Sequence, residues 1–311
     1  MDDEVQARSV MLTSDWMAVI RSREHAQADA YLDDPCAAAF VTSESEASYD
    51  EIRSKGLPSE VVPIRGRLGD LTLLDSGVRQ AVCLGSGTDS RAYRLPLDQG
   101  FSYYEVDLPG QLAGKAELLG AAGFTARCRV EVVEADLRED GWTVALLAAG
   151  FDPEQPVHWI AEGLFYYLTK PQGRALAEAM SVLSAPGSWL TFDGPHDRFL
   201  TDPARQDFLR EMSERGSPFV GSFRDPVEWL APYGWSAQAA LHGDIAEGRC
   251  DWLPPLPERL RTTIQDVWFV RARQALTEFV SGHGLPFGYF LPVWTWLDGG
   301  GVIVWRPPQP L

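Results

Sequence analysis

Two glycines and one acid stand at the ends of two successive apolar runs of the sequence. Gly85 and Gly87 follow the run QAVCL, and Asp107 ends the run FSYYEVD. Glycines directly after a strand let the backbone turn tightly and approach a ligand closely. An acid at the end of the next strand can accept hydrogen bonds from both hydroxyls of a ribose. The segment from Gly85 to Asp107 therefore predicts a site for an adenosine-containing ligand.

The glycine pattern also bears on which adenosine ligand binds. A dinucleotide fingerprint carries a third glycine, which lets the following helix pack closely against the strand. The run AVCLGSGTDSR has no glycine at that place. The pattern therefore disfavours NAD without excluding it. A structural interpretation of Asp107 stays open as well, because this acid could cap a helix that opens near Pro109.

Two further acids end the next two apolar runs. Asp136 ends RVEVVEAD, and Glu162 follows the run VHWIA. A carboxylate at the first position can reach the exocyclic amine of an adenine, and one at the second faces the ligand crevice of an open α/β sheet. Structural alternatives are a helix cap for Asp136 and a buried carboxylate bonded to the backbone for Glu162.

Short apolar runs alternate with helical stretches through the middle of the chain, and these elements must position the residues above. Strands that alternate with helices imply a parallel sheet built from right-handed crossovers. We therefore expect an α/β fold with a mostly parallel, Rossmann-like sheet and helices on both faces. The predicted strands are 80–85, 101–107, 129–136, 157–163 and 188–194, and the predicted helices are Gln111–Ala122, Trp142–Gly150 and Pro171–Leu183.

The N-terminal part of the chain predicts helices. Residues 10–34 carry apolar side chains at loosely helical spacing, until Asp34 and Pro35 break the pattern. We expect residues 1–75 to be the helical part of a lid over the ligand.

The last hundred residues are less regular. Residues 234–241 predict a further strand, and Glu258–Val280 predicts a helix. The turn Asp298–Gly301 between two apolar runs suggests a closing antiparallel hairpin. We expect residues 244–285 to form a substrate cap, and the whole chain, 1–311, to be a single domain.

Composition narrows the class of protein. The chain has 311 residues, of which 45% are hydrophobic, and 44 acidic residues against 27 basic ones give it a net charge of -17. Such a charge repels nucleic acid at long range. The acidic, polar N-terminus predicts no signal peptide, and no apolar run approaches the roughly 20 residues of a spanning helix. The four cysteines lack CxxC spacing, so we expect neither a disulfide framework nor a metal site, and a reduced cytoplasmic protein.

Taken together, these segments resemble the leucine carboxyl methyltransferase family, which includes the phosphatase methyltransferase and tetracenomycin-type polyketide carboxyl methyltransferases. The resemblance runs from about Met17 to Trp235 and rests on ordered pieces such as IRGRLGD, QAVCLGSGTDSRAYRL, YYEVDLPGQLAGK, EADLREDGW and AEGLFYYLT. It implies a class I methyltransferase whose cofactor is S-adenosylmethionine. The chain after about residue 244 follows no motif of that family.

The resemblance also implies roles for single residues. Arg23 and Arg65 would lie near the methionine carboxylate of the cofactor, Arg65 in bidentate contact, although both could instead form surface ion pairs. Glu162 would lie beside the cofactor at the mouth of the site. The remaining implied contacts are Gly85 and Gly87 beneath the cofactor, Asp107 at the ribose, Asp136 and Leu137 at the adenine, and Tyr167 at the substrate pocket.

The methyl acceptor is the open part of this reading. A carboxylate acceptor is ionised at neutral pH and needs no general base, whereas a hydroxyl benefits from one. His196, which follows FDGP, and Tyr167 are the catalytic candidates. His158, His242 and His283 show no catalytic pairing, and a structural role is the simpler interpretation for every one of these histidines.

Several functions remain compatible with the sequence. The aromatic tail favours an O-methyltransferase that acts on a carboxylate, or a hydroxyl, of a small natural-product intermediate. A peptide or protein carboxylate is the alternative acceptor, and Arg91, Arg94 or Arg198 could attract either anion. A non-catalytic cofactor-binding partner and an NAD-dependent oxidoreductase are the alternatives from other classes. The oligomeric state is not readable.

Overall fold

Seven strands form one mixed sheet in the computed structural model, which describes residues 3–263 and 265–274. The chain divides into two units, Met1–Leu276 and Thr277–Leu311. The predicted closing hairpin and His283 therefore lie outside the described residues. The strands are β1 Gln80–Leu84, β2 Ser102–Asp107, β3 Arg129–Glu134, β4 Val157–Ala161, β5 Trp189–Pro195, β6 Trp235–Leu241 and β7 Val267–Gln274.

The strand order is β3-β2-β1-β4-β5-β7-β6. β1 to β5 run parallel, whereas β7 lies antiparallel between β5 and β6. The predicted α/β class and all five parallel strands are confirmed. From β1 the chain adds β2 and β3 on one side, and it then adds β4 and β5 on the other side, so the strand order switches between β1 and β4. Ligands of open α/β sheets bind outside the carboxyl ends of the strands at such a switch point.

Helices cover both faces of this sheet, as expected. On β1, Ala81 and Cys83 pack on one side, and Val82 and Leu84 pack on the other. The helices are α1 Asp3–His25, α2 Ser43–Ser54, α3 Val61–Asp75, α4 Arg91–Arg94, α5 Lys115–Ala121, α6 Gly141–Ala148, α7 Lys170–Val182, α8 Asp197–Thr201, α9 Gln206–Glu214, α10 Pro226–Leu230, α11 His242–Ala246 and α12 Glu258–Arg261. Buried side chains of α1, α3, α4 and α5 pack on the side of Ala81 and Cys83. Those of α6, α7 and α10 pack on the side of Val82 and Leu84.

The N-terminal helix is shorter at its end than predicted. α1 ends at His25, and the chain then turns instead of continuing as helix to residue 34. The carboxylate of Glu24 accepts the backbone N–H of Tyr31 at 2.6 Å, which holds the turn back against the end of the helix. Asp34 is fully buried and accepts a hydrogen bond from the Ser90 hydroxyl at 2.7 Å. This long-range contact fixes the segment that follows the helix.

The predicted helix Glu258–Val280 is wrong. α12 ends at Arg261, and Val267–Gln274 is a strand whose Val267, Phe269 and Val270 are completely buried. β-branched and aromatic residues favour a strand when partners are available on both sides, and β5 and β6 supply them. The antiparallel C-terminal strands are thus β6 and β7. The described part of 244–285 supplies β7 to the sheet and buried side chains to the core.

His158 in β4 is completely buried, and its burial should make the stability of the protein depend on pH. Its Nε2 lies 2.9 Å from Thr191 Oγ1, and burial, assisted by the positive charge of Arg91, lowers the pKa of the ring from 6.5 to about 3. Below pH 6.5 the His158 ring binds a proton in the unfolded chain, whereas in the folded chain it stays neutral until about pH 3. We therefore expect this histidine to make the free energy of unfolding fall by up to about 1.4 kcal/mol per pH unit on acidification from that pH.

The measurement is urea denaturation at several pH values between 5 and 7. His158→Gln should show a shallower fall than the native chain, whereas Thr191→Val, which keeps the histidine, should retain the native slope. An unchanged slope in His158→Gln would contradict the assignment.

Candidate active site

A cavity opens at the carboxyl edge of β1, β2 and β4. The space within it is about 1490 Å³, which includes space open to solvent. The cavity brings together eight of the predicted site residues: Arg65, Gly85, Gly87, Asp107, Asp136, Leu137, Glu162 and Tyr167.

The glycine loop after β1 and the acid after β2 meet in this cavity. Gly85 and Gly87 have φ values of +67° and +46°, which are costly for any residue with a Cβ. The N–H groups of Gly87 and Leu108 donate to the carboxylate of Asp107 at 2.7 and 2.8 Å. Burial raises the pKa of Asp107, and these two N–H groups oppose the rise. The carboxylate is therefore oriented by the backbone and retains acceptor positions for a ligand.

The N-terminal helix lies against the glycine loop. Ser14 Oγ accepts the Thr88 N–H at 3.0 Å, and Arg21 donates to the Thr88 carbonyl at 2.6 Å. A Cβ on Gly87 would lie 2.3 Å from Ser14 Oγ, so only glycine admits this approach. Ser14, Arg21 and Thr88 line the cavity as well. α1 therefore closes one wall of the site.

The acid after β3 is held by a neighbouring arginine. Arg138 donates its backbone N–H to Asp136 at 2.9 Å and its Nε at 2.8 Å, and its Nη2 bonds the same carboxylate. The Arg138 side chain lowers the pKa of Asp136. Asp136 is thus ionised at neutral pH, and Leu137 beside it adds an apolar surface to the same wall of the cavity.

Arg65 on α3 faces a buried acid at the end of β5. Its Nη1 lies 3.2 Å from Asp193 Oδ2, which also accepts the Tyr166 hydroxyl at 2.8 Å. The other oxygen of Asp193 accepts the Gly163 N–H at 2.7 Å. A Cβ on Gly163 would lie 2.8 Å from Arg65, so the guanidinium rests directly on the backbone there. Asp193 therefore sets the position of Arg65 in the cavity wall.

Glu162 is the exposed end of a buried ion-pair network. Arg91, whose side chain is 2% exposed, donates to Glu162 at 2.5 Å, to Asp70 at 2.8 Å and to Asp89 at 2.5 Å. Burial raises the pKa of Glu162, although the guanidinium groups of Arg91 and Arg65 oppose the rise. A Cβ on Gly69 would lie 2.5 Å from Glu162 Oε1, so α3 needs glycine at its closest approach to the network.

Beside Arg65, the cavity has an apolar part lined by aromatic rings. The rings of Tyr166 and Phe219 lie 4.9 Å apart, and those of Tyr167 and Phe219 lie 5.3 Å apart. Burial raises the pKa of Tyr167 to about 12, so the phenol keeps its proton at neutral pH. Further apolar lining comes from Trp16, Met17, Leu57, Val61, Val62, Leu168 and Met212.

The structure does not place Arg23 in this cavity. Its guanidinium lies on the surface, 2.6 Å from Asp50, because its position on α1 points it towards α2. The basic residue of α1 that lines the cavity is Arg21, whose Nε lies 3.3 Å from Asp34. The position of Arg23 therefore does not support the role near the cofactor that the resemblance implied for it.

His196 also lies outside the cavity. Its Nδ1 accepts the Arg198 N–H at 3.0 Å and thereby caps α8. His158 is buried within the sheet, and His242 bridges Leu260 and Gln265. Each of these three histidines thus has a structural contact among the described residues.

The three arginines suggested as attractors of an acidic acceptor have other partners. Arg91 and Arg94 are buried and both donate to Asp70, and Arg198 pairs with Asp266 on the surface. None of the three lines the cavity. That expectation is wrong because net charge gives no information about which acids a fold places beside each arginine.

The sequence analysis used no signal for two cavity residues, Arg21 and Arg138, or for Asp193, which holds Arg65. Arg21 lies two positions from Arg23, Arg138 lies two positions from Asp136, and Asp193 lies near the end of β5 in the run FDG. Asp193 could have been found, because an acid near the carboxyl end of a parallel strand lies at the same edge of the sheet as Glu162. In the described ranges, no group of histidine, cysteine and acidic residues could hold a metal ion, and no helix is long and apolar enough to cross a membrane.

The parallel sheet, the glycine loop after β1 and the acid after β2 around one cavity define a class I S-adenosylmethionine-dependent methyltransferase. Residues 15–181 match the family described as leucine carboxyl methyltransferase, and the chain belongs to that family. The family resemblance seen in the sequence is thereby confirmed.

Relatives extend the similarity over most of the chain. A Rhodococcus jostii protein, named among the S-adenosyl-L-methionine-dependent methyltransferases, is 36% identical over 273 residues, covering 81% of this chain and 91% of that protein. A Mycolicibacterium gilvum protein of the same designation is 33% identical over 296 residues, covering 86% and 95%. A solved Thermobifida fusca structure described as a methyltransferase has a TM-score of 0.55 at 18% identity, covering 83% of this chain and 94% of its own, and shows the same fold.

Proposed function

We propose that the cofactor extends along the cavity from Asp136 and Asp107 to Arg65 and Glu162. Asp107 is a buried, backbone-oriented acceptor suited to the ribose hydroxyls. Asp136 and Leu137 together offer an acceptor and an apolar surface, which suit an adenine. Residues 1–75, through α1 and α3, are the lid in this proposal, because Ser14 and Arg65 both border the same space.

Opposite charges at the far end suit the methionine part of the cofactor. Arg65 uses Nη1 for Asp193, and its Nε and Nη2 make no hydrogen bond within the described residues. These N–H groups can bind a carboxylate. The second carboxylate oxygen of Glu162 makes no hydrogen bond to a described residue, and it suits an ammonium group. The two side chains would then orient the cofactor by a pair of complementary contacts.

Removal of Arg65 tests this assignment. We expect Arg65→Ala to weaken S-adenosylmethionine binding by more than tenfold, at least about 1.4 kcal/mol, because the carboxylate loses its cationic partner. Arg67→Ala, two positions along α3 and outside the cavity, should leave the affinity unchanged. Calorimetric titration of both variants measures the difference, and Arg65→Lys keeps the charge beside Asp193 if the alanine variant is unstable. Native affinity in a folded Arg65→Ala protein would refute the role.

The bound cofactor supplies a methyl group that is already activated by its sulfonium. The protein therefore has to hold an acceptor in line with that carbon and exclude water. The aromatic end of the cavity can do both, because Tyr166, Tyr167 and Phe219 cover the acceptor side.

A carboxylate on a small, largely apolar molecule is the acceptor that we propose, as in the biosynthesis of a natural product. One observation carries this proposal: the described lining of the cavity contains no histidine and no lysine that could act as a base. A carboxylate needs none, since it is ionised well below neutral pH. In this proposal the Tyr167 phenol, protonated at neutral pH, donates a hydrogen bond to that carboxylate.

The test compares acids with their hydroxyl counterparts. We expect purified protein and S-adenosylmethionine to convert aromatic carboxylic acids, such as 2-naphthoic acid, into methyl esters that mild base hydrolyses. The rate with the acid should be nearly constant between pH 6 and 8, because the carboxylate stays ionised over that range. A phenol such as 2-naphthol should react faster as pH rises, because more of it is ionised. Base-stable ethers from 2-naphthol alone would refute carboxyl methylation, and esters only from peptides with a free C-terminus would establish the peptide alternative.

A further inference from the structure

A second hollow lies beside the active-site cavity and shares Leu168 with it. It is bordered by the chain after β4 and by residues 221–224, and it encloses about 750 Å³ including open solvent. We call it the basic hollow, because Lys170, Arg174 and Arg224 line it. The hollow lies outside the proposed cofactor contacts, since none of these three residues borders the larger cavity.

The three cations form no ion pair with a described acid. Arg65, Arg91, Arg94 and most of the other described arginines lie within 4.0 Å of a carboxylate. Lys170, Arg174 and Arg224 are exposed, and Arg174 acts electrostatically on Tyr233. The hollow is distinguished by the grouping of three such cations around one opening, in a chain with 44 acids and 27 bases.

The described lining of the hollow contains one acid and three cations. Asp197 borders the hollow, and its Oδ1 accepts the Ser222 hydroxyl at 2.7 Å. The charge balance of the hollow is therefore positive, and an anion would be attracted there although the protein as a whole is acidic.

The floor of the hollow is aromatic. Phe165, Phe223 and Trp229 border it and pack on one another, with ring centroids 4.9 to 5.5 Å apart. A cationic rim over an aromatic floor suits a ligand that carries negative charge on an apolar body. A simple inorganic ion would use the rim and gain nothing from the floor.

A glycine inside α7 keeps this floor open. Gly173 lies in the helix interior, where glycine is less stable than alanine. A Cβ there would meet Phe165 at 3.6 Å and Trp229 at 3.9 Å, which are ordinary contact distances. Packing therefore does not require glycine at this position, and its effect is to leave room over the aromatic floor.

We propose that the basic hollow binds an organic anion with an aromatic or similarly apolar body. The cations at Arg174 and Arg224 would bind its charged group, and Phe165 and Trp229 would contact the rest. This inference does not depend on the identity of the methyl acceptor, because no residue of the rim belongs to the proposed cofactor or acceptor contacts.

The experiment titrates 2-naphthalenesulfonate, an aromatic anion without a carboxylate, and its neutral analogue 2-naphthalenesulfonamide into protein saturated with S-adenosylhomocysteine. We expect the sulfonate to bind at least tenfold more tightly than the sulfonamide. The double variant Arg174→Glu, Arg224→Glu should weaken binding of the sulfonate at least tenfold. Arg53→Glu, an exposed arginine remote from the hollow, is the matched control and should bind as the native protein does.

Gly173→Ala provides an independent readout. It should raise the melting temperature, because alanine favours the helix, and at the same time weaken binding of 2-naphthalenesulfonate. Equal binding of the sulfonate by the native protein and the double variant would overturn the proposal, and so would equal binding of the sulfonate and the sulfonamide. Inorganic phosphate that binds as tightly as the sulfonate would overturn the part assigned to the aromatic floor.

Discussion

Arg91→Met should cost about 3–5 kcal/mol of the free energy of unfolding, the largest stability loss that we expect from a single substitution in this protein. The guanidinium is 2% exposed and binds Asp70, Asp89 and Glu162. Its removal leaves three carboxylates without their common cation in a buried place. Urea denaturation followed by circular dichroism gives the change.

Controls separate this loss from the removal of any arginine. Arg79→Met removes an exposed arginine that pairs with Asp98, and the denaturation midpoint should change little because water screens that pair. Arg91→Lys keeps a charge but loses the planar fork that reaches several acids at once, so its stability should lie between those of the native and Met proteins. A native midpoint for Arg91→Met would show that the network does not hold this region together.

Asp107→Ala should weaken S-adenosylmethionine binding by more than tenfold, at least about 1.4 kcal/mol. The carboxylate is held by the Gly87 and Leu108 N–H groups and borders the cavity. Alanine removes the proposed ribose acceptor and also frees the Gly87 N–H, so the glycine loop loses an anchor. Calorimetric titration with S-adenosylmethionine measures the loss.

Glu134 provides the matched control for that substitution. It pairs with Asp107 across β2 and β3, ends its strand in the same way, and does not border the cavity. Glu134→Ala should therefore bind the cofactor with native affinity. If Asp107→Ala and Glu134→Ala lose the same amount, the effect belongs to the strand ends in general and the ribose role is wrong.

The local patterns were sufficient for the parallel half of the fold. Each of β1 to β5 is a short apolar run followed by a turn, and the acids and glycines after these runs lie at one edge because parallel strands end together. Asp107, Asp136 and Glu162 could therefore be assigned to one cavity from the sequence alone, as could the glycines after β1.

In the C-terminal part, the neighbouring strands of the sheet determined the secondary structure. Val267–Gln274 has no pattern that separates a strand from a short helix, and β5 and β6 on either side make it a strand. Local propensity is a weak guide when a segment gains its stability from long-range contacts. The same reason explains α1, whose end depends on where Glu24 finds the Tyr31 N–H.

The sequence by itself determined the class of sheet, the glycine loop and the acids at the strand ends, since these follow from short-range spacing. Only the tertiary structure decided which acid lies beside each arginine and which arginines face the cavity. Arg21 and Arg65 border the site, whereas Arg23 and Arg91 do not, although all four are arginines near predicted motifs. A guanidinium on a long side chain goes to the acid that the fold brings near it, and that acid can lie more than a hundred residues away, as Asp193 does from Arg65.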